Sequence, residues 1–300
     1  TNYIVIAPDN TNAVVLFDKG YVDISKKNIR IDYHVRIKVL TEEGIEEVGD
    51  RSVSYHEEYD KFKDFEAHTI TPEGDKIKVE KDAIFKKTLG NYEERTFTFP
   101  AVSVGSIIEY KYSIISKRFR YLRPWYFQGS IYTLKSQVAV KIPSGFTYTV
   151  QYNNIKPHLR EPELEEAIDI DAAFSGAKIR TFTWTLENLP PVTDEPYMSA
   201  VNDYRSSLRF QIQLYEDRYN YVNFQNTWPE LGKDFQKWLD DYCNKDGDIK
   251  KLAEEITTGL AGDSDKSRAI YDYVTSDYKT TDEYGSRYFM HEKIEKLLEE

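Results

Sequence analysis

The 300-residue sequence has a single cysteine, Cys243, which excludes an internal disulfide and any metal site built on several thiolates. It has no apolar run near the ~20 residues that a membrane-spanning helix needs. The start, TNYIVIAPDN, has no initiating Met, basic n-region or apolar h-region. It therefore reads either as a trimmed cytosolic protein or as an exported one whose signal has been removed. Positive charge is in deficit: the net charge is -11 and the basic residues are scattered. No electrostatic footprint for a phosphate backbone results, so nucleic acid is not expected as a partner. The 14 Gly fall mostly at turns and make no phosphate-cradling loop. Neither a fixed-period repeat nor a low-complexity tract is found.

Aromatic residues are abundant, with 24 Tyr, 15 Phe and 4 Trp. Such rings cover neighbours across a pleated sheet, which argues against an all-helical protein. Ile29 to Val39, IRIDYHVRIKV, alternates apolar and polar residues strictly and predicts a strand with one buried face. Thr41-Glu42-Glu43-Gly44 reads as a turn leading back into IEEVGDRSVSY, and Thr71-Pro72-Glu73-Gly74-Asp75 as a second turn between FKDFEAHTI and KIKVE. Further strands are expected at ERTFTF, SIIEYKYSII, SQVAVKI, FTYTVQY, KIRTFTWTL and around Leu208 to Leu214. The pattern predicts a mainly β fold, an antiparallel β-sandwich or a large curved double sheet, over residues 1–222.

From Thr227 the apolar period becomes helical. Thr227 and Glu230 have capping-box spacing, and Leu231, Phe235, Trp238, Leu239 and Tyr242 form a stripe. Asp248 is expected to cap a second helix, and Gly262-Asp263-Ser264 to open a third, DKSRAIYDYVTSDYK. HEKIEKLLEE, with Ile294, Leu297 and Leu298, reads as a fourth after the loop TTDEYGSRY. Residues 223–300 are thus expected to be a separate helical part.

No catalytic constellation is visible in the residues. His34, His56, His68, His158 and His291 are dispersed without ligand spacing and read as solvated imidazoles. Cys243 follows WLDDY near a helix end. Asp240, Asp241 and the helix dipole all disfavour a thiolate there, so it reads as structural. Glu42-Glu43, Glu57-Glu58 and Glu165-Glu166 read as solvated pairs in turns or loops, and Lys117, Arg118, Arg120 and Arg123 as a solvated face. No catalytic residue, metal ligand or cofactor site is assigned. Arg123-Pro124-Trp125-Tyr126-Phe127 is the best candidate for an exposed aromatic surface; Trp125 and Tyr126 are the candidate substrate-binding residues, with packing between sheets as the alternative.

In order, FPAVSVGSIIEYKYSI, PWYFQ, SQVAVKIPSG and FTWTLENLPPVTDEPYM resemble the bacterial family known as domain of unknown function 3857, a β domain of envelope proteins, over about residues 1 to 215. That resemblance brings no catalytic role with it. DKSRAIYDYVTSDYK resembles the opening helix of a transglutaminase-like domain of the papain-like cysteine fold, and EKIEKLLEE the helix before its nucleophile loop. The resemblance implies that the catalytic Cys, His and Asp would follow Glu300, that Cys243 plays none of those parts, and that this polypeptide alone is inert. It further implies a periplasmic or cell-envelope setting, with a cytosolic one as the alternative, and a protein, peptide or glycan partner. The function expected is a scaffold or substrate-recognition region of a cysteine protease or amidase. The rival is a non-catalytic module that binds glycans or proteins.

Overall fold

The computed structural model describes residues 8, 10–25, 27–118, 120–169, 177–217, 219–224, 227–242 and 247–277. Its strands, in chain order, are β1 (Ala13–Ile24), β2 (Ile29–Val39), β3 (Asp50–His56), β4 (Asp60–Ile70), β5 (Lys76–Lys78), β6 (Ile84–Leu89), β7 (Tyr92–Thr98) and β8 (Ile107–Ser116). Then come β9 (Trp125–Tyr126), β10 (Tyr132–Ile142), β11 (Phe146–Asn153), β12 (Glu163–Ile168), β13 (Lys178–Leu189), β14 (Ser207–Glu216) and β15 (Tyr221–Asn223). The helices are α1 (Glu42–Val48), α2 (Trp228–Tyr242), α3 (Gly247–Ile256) and α4 (Asp263–Asp277). The chain separates into two compact units, Thr1–Phe224 and Gln225–Glu300.

An eight-stranded sheet in the order β12-β13-β10-β1-β2-β8-β4-β5 organises the first unit. Its pairings are antiparallel except at the centre, where β1 and β10 run parallel. A three-stranded sheet, β3-β7-β6, and a four-stranded one, β11-β14-β15 with β9 also on β14, complete the unit. Both smaller sheets pack on the same face of the large one, as β2 shows. Val35, Ile37 and Val39 enter a core with Val53, Tyr55 and Phe97 of the three-stranded sheet. Ile29 and Ile31, on the same side of the pleat, enter a second core with Trp125, Phe146, Leu208 and Ile212 of the four-stranded sheet. Tyr33 stands between these two sets and packs against both cores.

β1 is the strand that alternation alone does not reveal. Its register shifts between Val15 and Phe17, and a bulge of this kind changes the phase of the pleat. Ala13 and Val15 before it, and Gly20, Val22 and Ile24 after it, are consequently all buried on the inner face. Asp18 shares the parity of the second set, so the bulge turns an aspartate inward at the centre of the large sheet.

Two expectations are corrected here. Thr41-Glu42-Glu43-Gly44 does not turn one strand into the next but starts α1. The Thr41 hydroxyl accepts a hydrogen bond from Gly44 N at 3.2 Å, and Glu42 and Glu43 sit at the helix's positive end. Glu165 and Glu166 lie in β12 rather than in a loop, with Glu166 paired to Lys178 across the ladder on β13.

In the second unit the capping box forms. Thr227 N donates to Glu230 Oε2 at 2.8 Å, and Glu230 N to Thr227 Oγ1 at 3.4 Å. Phe235 and Trp238 stack along α2 with ring centroids 5.5 Å apart. Asp248 lies within the first turn of α3 rather than capping it. Cys243, the loop TTDEYGSRY and the segment HEKIEKLLEE lie outside the described residues.

Candidate functional site

Where the two smaller sheets meet over the large one, the inner face is left open as a cleft of about 470 Å³. Its floor is the row Asp18, Val35 and Tyr110, in register across β1, β2 and β8, with Tyr33 and Tyr112 paired in the next inward-facing row. One wall is Trp125 and Tyr126 of β9; the other comes from His56, Tyr59 and Asp60. A smaller pocket of about 180 Å³ shares Asp18, Val35, Tyr110 and Tyr126 and reaches Arg51 and Thr133. A concave surface of this size and aromatic lining is of the kind that holds a ligand.

The aromatic walls are built as a stack. Tyr33 lies on Tyr112 with centroids 4.6 Å apart and planes at 14°, and Trp125 continues the stack on Tyr33 at 5.8 Å. Trp125 is only 5% exposed. Its Nε1 donates to Ser136 Oγ at 3.3 Å, and its ring presses on the backbone of Gly20. Trp125 is therefore a fixed wall of the cleft and presents no exposed face, whereas Tyr126 is half-buried at its rim. Sequence order placed these two rings side by side; the structure separates their parts.

Charge in the cleft is arranged so that most of it is already engaged. Asp60, 7% exposed, is paired with Arg123 Nη2 and accepts from His56 N at 3.1 Å. Arg123 Nη1 also donates to Ser54 O at 3.2 Å, which fastens the 120–124 segment to the three-stranded sheet. Arg118 lies over the Tyr59 ring at 3.4 Å from its centroid, and Arg120 over Phe224 at 5.1 Å. Lys117, Arg118 and Arg120 are exposed, as expected of a solvated face, with Arg118 and Arg120 also lying over rings; Arg123 alone of the cluster is drawn inward, to Asp60.

Asp18 is the exception. No hydrogen bond or ion pair reaches its side chain among the described residues. Burial pushes its carboxyl up to about 7, against the opposing pull of the Arg51 guanidinium. Tyr33 beside it is pushed up to about 12, mainly by burial, with Arg123 opposing and Asp18 and Asp60 adding to the rise. Burial likewise raises Tyr110 and Tyr112. At neutral pH these phenols are neutral donors and acceptors around a carboxyl close to its midpoint.

Sequence reasoning found Trp125 and Tyr126 through their local aromatic density. It missed Asp18, Asp60 and Tyr33, which come from three different strands. The one signal for Asp18 was an acid set within the otherwise apolar AVVLFDKGYVDI. Histidine was misjudged on the other face of the sheet. His34 Nε2 donates to Glu109 Oε1 at 2.5 Å, Arg36 Nη2 to Glu109 Oε2 at 2.6 Å, and His68 Nε2 lies 3.4 Å from Glu109 Oε2. These imidazoles are half-buried rather than fully solvated, His34 being 30% and His68 13% exposed, because three adjacent strands converge on one buried glutamate. Among the described residues no group of three or more His, Cys, Asp or Glu could hold a metal ion, and no hydroxyl or thiol is hydrogen-bonded to an imidazole.

Three packed sheets around a cleft define a mainly β domain. Within that class, the family model for the domain of unknown function DUF3857 matches residues 26–193. This is more than half of the sequence, and the chain belongs to the DUF3857 family. The matched segment carries Tyr33, Asp60, Arg123, Trp125 and Tyr126, while Asp18 precedes it. No curated protein matches the chain. Among solved structures it is similar to a protein of Parabacteroides distasonis described as a "putative protease", with a TM-score of 0.62 and 15% identity, over 88% of this chain and 50% of that one. The likeness is one of fold, and the chain spans half the length of that structure. No helix among the described residues is long and apolar enough to cross a membrane.

Proposed function

We propose that this chain is the substrate-recognition region of an exported, envelope-located protein of the transglutaminase-like cysteine protease or amidase type. On this reading the β unit holds a segment of a protein or peptide substrate in its cleft. Residues 223–300 contribute the opening helices of the unit that carries the chemistry, and the Cys, His and Asp of an acyl-transfer site come from the rest of that unit. The observation that carries the proposal is the make-up of the cleft: fixed aromatic walls and an unpaired acid, with no nucleophile and base in contact among the described residues. The solved neighbour described as a protease, half of whose length this chain spans, supports the pairing of such a β unit with a hydrolytic one.

The test joins this chain to its natural downstream sequence and measures thiol labelling by iodoacetamide together with turnover of peptide amides. A labelled thiol beyond Glu300 is expected, and Tyr126→Ala should raise KM while kcat holds. If the extended protein has neither a reactive thiol nor turnover, the proposal fails. If Tyr126→Ala leaves KM unchanged, the recognition role of the cleft fails.

A further inference from the structure

The feature that needs explaining is an acid at the centre of a sheet's inner face that no hydrogen bond or ion pair from the described residues holds. Buried carboxylates are ordinarily paired or hydrogen-bonded, because desolvating an unmatched charge is costly. Asp60, in the same cleft, obeys that rule through Arg123 and His56 N. Asp18, half-buried where it lines both the larger and the smaller pocket, does not. The cations nearby are not free to neutralise it. Arg123 is held by Asp60, and Arg118 by the Tyr59 ring. Arg51 makes no hydrogen bond or ion pair with Asp18 among the described residues and acts on it only through space. The remaining groups facing Asp18 are Tyr33 and Val35 from β2, Tyr110 and Tyr112 from β8 and Ser136 from β10, all uncharged. From β9, Trp125 and Tyr126 close the cavity.

An acid at the end of an aromatic slot matches one kind of partner: a compact cation on an apolar stem. The carboxylate supplies the counter-charge, and the stem lies against the ring edges that the Trp125-Tyr33-Tyr112 stack turns to the cleft. A neutral sugar would leave the carboxylate uncompensated, and a metal ion would find one carboxylate where it needs several donors. We propose that the cleft binds a primary alkylammonium group, the side chain of a lysine in an extended peptide, with the ammonium on Asp18 and its methylene stem along Tyr33, Tyr112 and Tyr126. That the amine belongs to a peptide rests on the recognition role proposed above; the amine site itself rests on the cleft alone.

Calorimetry on the 300-residue chain tests both. The probes are N-acetyl-Gly-Lys-Gly-amide, its norleucine counterpart and butylamine, each at pH 6 and pH 8. The lysine peptide should bind at least tenfold more tightly than the norleucine peptide, whose stem is the same but whose charge is absent. Its affinity should rise by about tenfold from pH 6 to pH 8, as a carboxyl titrating at about 7 ionises. Asp18→Asn should abolish both the preference and the pH dependence. Equal binding of the two peptides, affinity that falls with pH, or an Asp18→Asn protein that still prefers lysine would each overturn the proposal. Butylamine binding without peptide binding would support the amine site and remove its peptide source. Absence of binding by all three would overturn the site, whatever the turnover experiment on the extended protein returns.

Discussion

Gly20 and Trp125 are in contact ring to backbone: a Cβ built on Gly20 would lie 2.4 Å from Cζ3 of the indole. The indole cannot retreat, since Tyr33 is stacked on it and its Nε1 is held by Ser136 Oγ. The glycine at this point of β1 is therefore required by close approach rather than by backbone conformation.

Gly20→Ala should accordingly displace Trp125 from the cleft wall. The cost expected is that of overpacking a filled core, about 1–3 kcal/mol, read as a lower midpoint in urea. A change in the near-UV circular dichroism of the tryptophans should accompany it. An alanine variant with wild-type stability and spectrum would show that the wall is not fixed.

Asp18 sets a pH dependence of unusual sign. Its carboxyl is raised to about 7 in the folded protein, from an ordinary value of 3.8. Between those values the folded state binds more protons than the unfolded one, so this group's contribution to stability falls as pH rises. Asp18→Asn should therefore be more stable than wild type at pH 8, with the difference shrinking steadily towards pH 4. Thermal midpoints at four pH values would show it; a constant difference would contradict the burial of that charge.

Arg123 ties the 120–124 segment to Asp60 and to Ser54 O. Arg123→Ala leaves the Asp60 carboxylate buried without its counter-ion, which should cost on the order of 3 kcal/mol. The double variant Arg123→Ala with Asp60→Asn should recover part of that loss, because it removes the stranded charge as well. A double variant no more stable than the single one would mean that the pair contributes by packing alone.

How much of this could be seen in the sequence depends on range. The strict alternation of β2 carries its own signal, and so does the box formed by Thr227 and Glu230. The residue bulge in β1 erased the alternation of the most central strand, and Thr41-Glu42-Glu43-Gly44 fits the start of a helix as well as a turn. The cleft was half legible: Trp125 and Tyr126 announce themselves by composition. Asp18, Tyr33, Asp60 and Tyr110 become neighbours only through the β1-β2-β8-β4 strand order, which no local pattern encodes.

The outer face gives the opposite pH response from Asp18, and its parts can be separated. Burial alone would raise Glu109, but hydrogen bonds from His34 and Arg36 outweigh it and hold the carboxyl below its ordinary value. Since a carboxylate only accepts, His34 must carry its proton on Nε2, and it makes this bond as the neutral ring. Burial holds both His34 and His68 below the ordinary histidine value. Acidification from about 6.5 then protonates the unfolded histidines before the folded ones, and stability is lost across that interval. At lower pH, Glu109 adds a second loss: its stabilisation is present above the unfolded glutamate value and disappears as pH falls through the depressed folded one. His68→Gln should flatten the first interval and leave the second. Glu109→Gln should lower stability at pH 7, where Arg36 loses its counter-charge, and remove the second interval. Stability differences from wild type, measured from pH 3 to pH 8, isolate these terms from that of Asp18. A His68→Gln curve parallel to wild type through pH 6 would show that the imidazole is as well hydrated folded as unfolded.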